Sequence, residues 1–207
     1  MEIIVSRDVR IRVVAALVAL LSFAVGLAMQ AEAALALKCE NEKVTIKVKE
    51  KQKTIKGTAG DDVIAAPLTG RGYVILPRAG DDVICGGRGD DEIRASAGDD
   101  YVNGFPGHDE IFGGSGNDLI KAGHGNDFVD GGEGDDRLQG GEVAELTSGD
   151  GRDTLFGGLG DDSLQGGSQA DALDGGDDED YCDGDDSFSA ESSNDTAINC
   201  ERTEGIP

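Results

Sequence analysis

Glycine, aspartate and an aliphatic residue recur together every nine residues through the middle of this chain, and these residue types are suited to holding a cation. Residues 113–139 show the pattern as three consecutive nonapeptides, GGSGNDLIK, AGHGNDFVD and GGEGDDRLQ. In each of them glycine is at position four, aspartate at position six and the aliphatic residue at position eight. Glycine allows positive φ angles and a close approach of carbonyl groups to a ligand, and aspartate adds a hard carboxylate oxygen. The pattern therefore predicts loops that bind cations.

The position-six aspartates form one uninterrupted series and a second series after an insertion of eight residues, at about Glu142 to Gly149. An outlying copy begins at Lys56, and a degenerate turn carries Tyr73 at position six and Ile75 at position eight. The last repeats depart from the motif, because Gln169 and then Asp178 replace the position-four glycine, and we expect late sites to be weaker. The candidate metal ligands are Asp82, Asp91, Asp100, Asp109, Asp118, Asp127, Asp136, Asp153, Asp162 and Asp171, and Asp180 continues the spacing.

A short strand after each aspartate would point the position-eight side chain inward and its two neighbours outward. Two nonapeptides then make one coil of turn, strand, turn and strand, and such small coils must stack with their strands in parallel to bury a core. Loops on one edge would stand about 4.8 Å apart, and carboxylates at that distance repel each other unless a cation lies between them. Calcium is the ion expected, because it accepts six to eight oxygen ligands in irregular shells, whereas magnesium requires a stricter octahedron. Zinc and copper favour imidazole or thiolate ligands.

The chain resembles the RTX, or hemolysin-type calcium-binding repeat, family over about residues 57–182. Residues 86–94, GGRGDDEIR, match that family's motif GGxGxDxUx throughout. The resemblance implies an all-β fold, a parallel β-roll (a right-handed β-solenoid) of stacked calcium-binding nonapeptide repeats, with each calcium between loops two repeats apart. Carried over to this chain, it pairs Asp82 with Asp100, Asp91 with Asp109, Asp100 with Asp118, Asp109 with Asp127, and Asp118 with Asp136.

Composition supports a cation-binding protein rather than an ordinary globular one. The 207 residues include 33 glycines and no tryptophan, and 42 acidic against 18 basic side chains give a net charge of -24. Glycine-rich acidic sequence is usually disordered, but the strict period indicates a repeat fold. A chain this negative repels nucleic acid and anionic lipid and attracts cations. We therefore predict calcium ions as partners and no nucleic acid.

The N-terminus reads as a secretory signal peptide, which places the protein outside the cell. Arg7, Arg10 and Arg12 precede an apolar run at residues 13–29, and Ala31-Glu32-Ala33 supplies a cleavage signal. An uncleaved anchor is the alternative, although the run is short for a membrane span. The predicted organisation is a signal peptide at 1–33, an N-terminal capping segment at 34–56, the repeat β-roll at 57–182 and a C-terminal cap at 183–207.

Four cysteines remain in the exported chain, and an even number there predicts disulfide bonds. Three pairings of Cys39, Cys85, Cys182 and Cys200 are possible. We prefer Cys39 with Cys85 and Cys182 with Cys200, because each bond would then close one end of a stack whose terminal coils have a single neighbour. The C-terminal residues, Asp195-Thr196-Ala197 and Asn199-Cys200-Glu201, also resemble the ending of small secreted bacterial members of the family.

Catalysis is not predicted. The chain has no nucleophile elbow, HExxH motif, Walker loop or Rossmann fingerprint, and its aspartates are expected on exposed loops in nearly equal environments, whereas catalytic carboxylates need unequal ones. We predict a secreted, monomeric calcium-binding β-roll that folds on binding several ions and has a structural or interaction role.

The alternative function is a calcium-dependent cell-surface adhesin or a protein that binds a matrix or other partner. An exposed row of aromatic or threonine residues at positions seven and nine would favour it. In chain order these positions are mixed, and no binding face is predicted; they include Glu92, Tyr101, Glu110, Leu119, Phe128, Arg137 and Ser163.

Overall fold

The structure is a computed structural model that describes residues 38–39, 42–46, 48, 52–141, 151–184 and 195–204. The predicted signal peptide at 1–33 and the insertion at 142–149 lie outside the described residues. Every regular element within the described ranges is a β-strand. Over the same ranges, no helix has the length and apolarity needed to span a membrane.

The strands are short, as expected for a chain that turns every nine residues. In chain order they are β1 (Lys38–Cys39), β2 (Glu42–Lys43), β3 (Thr54–Lys56), β4 (Val63–Ala65), β5 (Val74–Leu76), β6 (Arg78–Ala79), β7 (Val83–Cys85), β8 (Glu92–Ala97), β9 (Tyr101–Pro106), β10 (Glu110–Ser115), β11 (Leu119–His124), β12 (Phe128–Glu133), β13 (Arg137–Gln139), β14 (Thr154–Leu159), β15 (Ser163–Gln165), β16 (Ala172–Asp177), β17 (Tyr181–Asp183), β18 (Thr196–Ile198) and β19 (Arg202–Glu204).

From β3 onward, strands alternate between two parallel sheets, except that β5 and β6 follow each other in the first sheet. The first sheet has the order β3-β5-β8-β10-β12-β14-β16-β18, with β6 beside β8, and the second has the order β4-β7-β9-β11-β13-β15-β17-β19. The register aligns equivalent motif positions, so that Ile93 pairs with Ile111 in the first sheet. The alternation and the parallel register confirm the predicted all-β fold, a parallel β-roll of stacked repeats.

The core is a column of aliphatic side chains between the two sheets. Each position-eight residue points inward because side chains alternate between the two faces of a strand, and its neighbours at positions seven and nine face outward. Tyr73 of the degenerate turn is also buried. The buried position-eight side chains are Ile64, Ile75, Ile84, Ile93, Val102, Ile111, Ile120, Val129, Leu138, Leu155, Leu164, Leu173 and Cys182.

Both ends of the roll extend beyond the repeats recognised in the sequence. At the N-terminal end β3 already pairs with β5 and buries Ile55, while Ile46 forms an isolated parallel bridge to Ile64. At the C-terminal end β18 and β19 pair with β16 and β17, so the two sheets continue through the residues assigned to the cap.

Disulfide bonds lie at these two ends. Cys182 and Cys200 are bonded to each other, 18 residues apart in the chain, as in the preferred pairing. Cys85 is also disulfide-bonded. The side chain of its preferred partner, Cys39, lies outside the described residues, so that second pairing stays a prediction.

Candidate metal sites

Positions two and four of the turns often have a positive φ angle, which glycine adopts without strain. Gly114 and Gly116, at positions two and four, have φ angles of 118° and 122°. A Cβ atom at either glycine would stand 2.1 Å from a carbonyl oxygen of the preceding coil, that of Ser96 or Gly98. A side chain at these two glycines would meet the preceding coil, which explains why glycine is frequent there. Arg78, Ser96 and Phe105 nevertheless adopt a positive φ at position two of their repeats.

The position-six aspartates are joined from coil to coil by a ladder of hydrogen bonds, here called the inner ladder. The backbone N–H of Asp82 donates to Oδ1 of Asp100 at 2.7 Å, and that of Asp91 donates to Oδ1 of Asp109 at 2.8 Å. The ladder brings together all five pairs that the family resemblance implied. On what we call the Asp100 edge its members are Asp82, Asp100, Asp118, Asp136, Asp162 and Asp180; on the Asp109 edge they are Asp91, Asp109, Asp127, Asp153 and Asp171.

The expectation that these aspartates lie on exposed loops is wrong. Their exposed fractions are 1 to 3 %. The position-six side chain turns under its own loop to accept the N–H of the neighbouring coil, and the stacked coils then cover it. Sequence position in a turn indicates a surface loop, but it does not show that the next coil covers the side chain.

The second carboxylate oxygen, Oδ2, has no hydrogen-bond partner at eight of these positions. Near Gly113, the point where a Cβ atom would stand lies 2.3 Å from Oδ2 of Asp118 and 2.5 Å from the carbonyl oxygen of Gly131, so a carboxylate and a main-chain oxygen face the same space. A buried charged oxygen without a partner is costly. Hard oxygen donors of both kinds are what calcium accepts. The eight aspartates are Asp82, Asp91, Asp100, Asp109, Asp118, Asp136, Asp162 and Asp180.

Burial raises the pKa of several inner-ladder carboxyl groups. Burial, and to a smaller extent neighbouring carboxylates led by Asp127, raise the pKa of Asp109 to about 8 against the lowering effect of the Asp91 N–H. Burial likewise raises the pKa of Asp91 and of Asp100 to about 7, and the pKa of Asp118 to about 6. In the metal-free roll burial therefore favours the protonated form of these carboxylates up to a higher pH than usual, and a bound cation would compete with those protons.

The side chains at position five form a second ladder that was not predicted from the sequence. It runs in the opposite direction: Oδ1 of Asp81 accepts the N–H of Asp99 at 3.0 Å, and Oδ1 of Asp99 accepts the N–H of Asn117 at 2.8 Å. On the other edge Nδ1 of His108 accepts the N–H of Asn126, so this histidine acts as a turn acceptor on the surface. Asp and Asn are frequent at position five, and this frequency is the feature of the sequence from which the second ladder could have been predicted.

The inner ladder also extends beyond the aspartates recognised in the sequence. The carboxylate of Asp62 in the first turn accepts the hydroxyl of Thr45 and the N–H of Thr58. At the other end, Asp195 accepts the N–H of Asp171 at 2.8 Å, and Glu201 accepts the N–H of Asp180 at 2.7 Å. Asp195 precedes the residues of β18 by the spacing found in the motif. It was not recognised in the sequence because the ten residues before it break the nine-residue period.

The insertion at 142–149 splits one motif without interrupting either ladder. Asp127 and Asp136 donate to Asp153 and Asp162 across it at 2.8 and 2.7 Å, the distances found elsewhere in the ladder. A Cβ atom on Gly140 would stand 2.6 Å from Oδ2 of Asp153, so Gly140 takes position one of the repeat that ends in Asp153. In the sequence, the insertion therefore falls between positions two and three of one repeat.

The late repeats keep the turn shape despite losing glycine. Gln169 and Asp178 have φ angles of 82° and 89°, which a residue with a side chain adopts at a cost of about 1–2 kcal/mol. That the late sites bind calcium more weakly stays a prediction.

No group of three or more acidic, histidine or cysteine side chains converges as a self-contained metal site within the described part of the chain. A ladder supplies carboxylates one per turn, so main-chain carbonyl oxygens must complete any shell of six or more ligands. The glycine-rich turns expose such carbonyls next to Oδ2.

Comparison with known families gives one match. A family model described as the RTX calcium-binding nonapeptide repeat matches in four copies, at residues 54–66, 78–109, 103–138 and 147–182. Together these segments cover more than half of the chain. Comparisons with curated proteins and with solved structures gave no match.

Proposed function

This chain belongs to the RTX calcium-binding nonapeptide-repeat family, and we propose that it is a secreted calcium-binding protein whose roll folds when several calcium ions bind between its turns. The observation that carries the proposal is the row of buried Oδ2 atoms without hydrogen-bond partners. Each of them needs a positive charge or a proton, and the turns place main-chain carbonyl oxygens such as those of Gly104 and Gly131 near them.

The charge of the repeat region supports folding that depends on calcium. Residues 57–207 carry 36 acidic and 8 basic side chains, so a compact metal-free form suffers strong self-repulsion. A site that exists only in the folded chain contributes its binding free energy to folding. The N-terminal features typical of a signal peptide, together with bonded cysteines, are consistent with export to an oxidising compartment.

Within the proposed sites, the two carboxylate oxygens of each aspartate have different roles. Oδ1 of each inner-ladder aspartate accepts an N–H and fixes the side chain, and Oδ2 at the eight positions named above, together with turn carbonyls, is placed to hold the ion. Calcium, when bound, supplies the positive charge that offsets the buried carboxylates. Asp82, Asp91, Asp100, Asp109, Asp118, Asp127, Asp136, Asp153, Asp162 and Asp171 are the proposed ligands, and Asp180 joins them on geometry. The repeat roll is a structural calcium-binding fold, and we assign it no reaction.

Circular dichroism of the mature chain tests this function. The spectrum should change from largely disordered in chelator to rich in β-structure as calcium rises to millimolar concentration, and excess chelator should reverse the change. Magnesium at the same concentration is the matched control and should have little effect, because it needs a strict octahedral shell. An unchanged spectrum across the calcium titration would contradict the proposal.

A second candidate function, binding of a macromolecular partner, is favoured by one observation. Phe112, Phe128 and Phe156 lie in contact on adjacent strands of the first sheet, with ring centroids 5.8 and 5.5 Å apart. These side chains occupy outward positions seven and nine, where an aromatic row was the feature expected of a binding protein.

A further inference from the structure

The two outward faces of the roll differ in chemistry. What we call the aromatic face is formed by the residues at positions seven and nine of β8, β10, β12, β14 and β16 in the first sheet. What we call the basic face is formed by the same positions of β9, β11, β13 and β15 in the second sheet. Since consecutive repeats alternate between the sheets, reading these positions in chain order mixes the two faces and conceals the difference.

The aromatic face combines phenyl rings with carboxylates. Asp130 pairs with Phe112 on one side and Phe156 on the other, and Phe128 lies two residues before it, so the carboxylate stands among three rings. Glu110 and Asp174 add further negative charge to this face. Its basic residue, Arg94, is already engaged, with Nε 2.8 Å from Glu92 and the guanidinium 5.2 Å from the centre of the Phe112 ring.

The basic face has no acidic residue in any of its four strands, although the chain contains 42. Lys121 lies over the ring of Tyr101, with Nζ 5.5 Å from its centre. Arg137 is exposed and pairs with Leu119 on the neighbouring strand. β1 lies beside β4 and β7, the strands of the same sheet that precede this face.

We propose that the aromatic face of one copy binds the basic face of a second copy. Lysine and arginine side chains are attracted both to carboxylates and to the faces of aromatic rings, and the aromatic face presents both kinds of group together. The two faces of one roll point away from each other because the sheets enclose the core between them. The contact is therefore heterologous, and repeating it gives an open chain of copies rather than a closed dimer.

The size of the faces sets the strength of this contact. Positions seven to nine of five adjacent strands span roughly 24 Å by 10 Å, or about 240 Å² per copy. Stable complexes bury about 800 Å² per partner. We therefore expect weak association that grows with protein concentration. The remaining acidic charge lies mostly on the turns, where bound calcium and a screening length of about 8 Å at physiological salt limit the repulsion between copies.

The inference rests on the proposed function in one respect, because the faces exist only in the folded roll. It departs from the monomer predicted from sequence, and from the prediction that positions seven and nine offer no binding face. A glycan or a basic protein on the aromatic face is the competing occupant, and either would leave the purified protein monomeric.

Sedimentation velocity of the mature chain in millimolar calcium, over a hundredfold range of concentration, tests the assembly. The unaltered chain should form oligomers that lengthen with concentration. Two variants each remove one face: Phe128→Ser with Phe156→Ser, and Lys121→Glu with Arg137→Glu. Each should sediment as a monomer, and their equimolar mixture should form dimers that do not grow, because only one intact face of each kind remains. Arg71→Glu with Arg88→Glu, the same charge change on exposed turn residues, should assemble like the unaltered chain.

Circular dichroism of each sample in calcium separates the possible failures. A chain that stays disordered in calcium contradicts the proposed function. A chain that folds but remains monomeric at every concentration overturns the assembly alone. Dimers of the Lys121→Glu/Arg137→Glu variant by itself, or a mixture that remains monomeric, would show that the contact is not between these two faces.

Discussion

At the scale of single residues, the two oxygens of an inner-ladder aspartate have different environments. Oδ1 of Asp109 accepts the N–H of Asp91 at 2.8 Å, which holds the side chain in place. Oδ2 of Asp109 is buried without a hydrogen-bond partner and creates the need for a cation or a proton. A substitution that keeps the first oxygen and removes the charge separates these contributions.

Asp109→Asn is expected to favour folding without calcium and to weaken the response to calcium. The amide retains an oxygen for the Asp91 N–H and replaces the charged Oδ2 with a neutral donor, so the desolvation cost of the metal-free roll falls. Circular dichroism in chelator should show more β-structure than in the unaltered chain, and calorimetry should show fewer bound calcium ions. The matched control, Glu110→Gln, removes the same charge from an exposed side chain and should change neither result. Equal calcium stoichiometry in the two variants would contradict the ligand role of Asp109.

Asp178→Gly is expected to stabilise the calcium-bound roll by about 1 kcal/mol, because glycine adopts the positive φ of 89° at this position without the strain of a side chain. It also removes a negative charge that raises the pKa of Asp180. Thermal unfolding in calcium measures the effect. Asp177→Gly removes the same charge one residue earlier, where φ is not positive, and should give no gain. A lower melting temperature for the Asp178 variant would show that its side chain contributes more than its strain costs.

At the scale of elements, stacked turns tolerate an interruption between positions two and three. Gly140 and Gly141 supply the start of the repeat that ends in Asp153, and the ladder distances across the gap match those elsewhere. Strand pairing on both sides, β12 with β14 and β13 with β15, keeps the register.

Deletion of residues 142–149 should therefore preserve the roll and its calcium stoichiometry. The shortened chain reads Gly140-Gly141-Asp150-Gly151-Arg152-Asp153, which restores the unbroken motif, and the shorter connection lowers the entropy cost of closure. Calorimetry and thermal unfolding in calcium measure the two quantities. A loss of bound calcium would mean that the insertion itself contributes to a site.

The last coil depends on its disulfide bond, because β18 and β19 each have a single neighbour in their sheets. Replacing both Cys182 and Cys200 with alanine should cost about 3 kcal/mol for a loop of this length, in addition to the loss of packing. Hydrogen exchange in calcium should speed up first in β18 and β19 and remain slow at β10 and β12. Uniformly faster exchange along the whole roll would contradict a local effect.

At the scale of the whole molecule, the raised pKa values couple folding to pH in opposite directions with and without calcium. A carboxyl group whose pKa is higher in the folded state stabilises that state below the pKa of the unfolded chain, and this stability is lost as pH rises through the folded-state value. The metal-free roll should therefore be more structured at pH 5 than at pH 8. The transition should lie between pH 6 and 8, because burial raises the pKa values of four carboxyl groups into that range, those of Asp91, Asp100, Asp109 and Asp118.

Calcium binding should strengthen over the same pH range and release protons, because the ion replaces them on the inner ladder. Circular dichroism of calcium-stripped protein against pH, and calorimetry in buffers of different ionisation enthalpy, measure the two effects. Exposed carboxylates titrate near pH 4. A metal-free transition confined to that region would show that general charge repulsion, rather than the inner ladder, controls folding.

Much of the site could be predicted from sequence because one period controls it. Residues eighteen apart, such as Asp91 and Asp109, become neighbours on one edge whenever two nonapeptides form a coil, and the inward position of Ile93 or Ile111 follows from strand alternation. Both features depend only on local geometry repeated many times. The family match and the strand register confirm that interpretation.

The structure alone decided the features that depend on contact between coils. Burial of Asp109 requires the next coil to cover it, and the place of Asp195 and Glu201 in the ladder requires a register that the preceding residues obscure. The aromatic and basic side chains lie on different faces, and this can be seen only once each repeat is assigned to its sheet. Phe112, Phe128 and Phe156 belong to the first sheet, whereas Lys121 and Arg137 belong to the second. A local motif specifies the conformation of one turn, whereas burial and the composition of a face arise only when turns distant in the chain are stacked together.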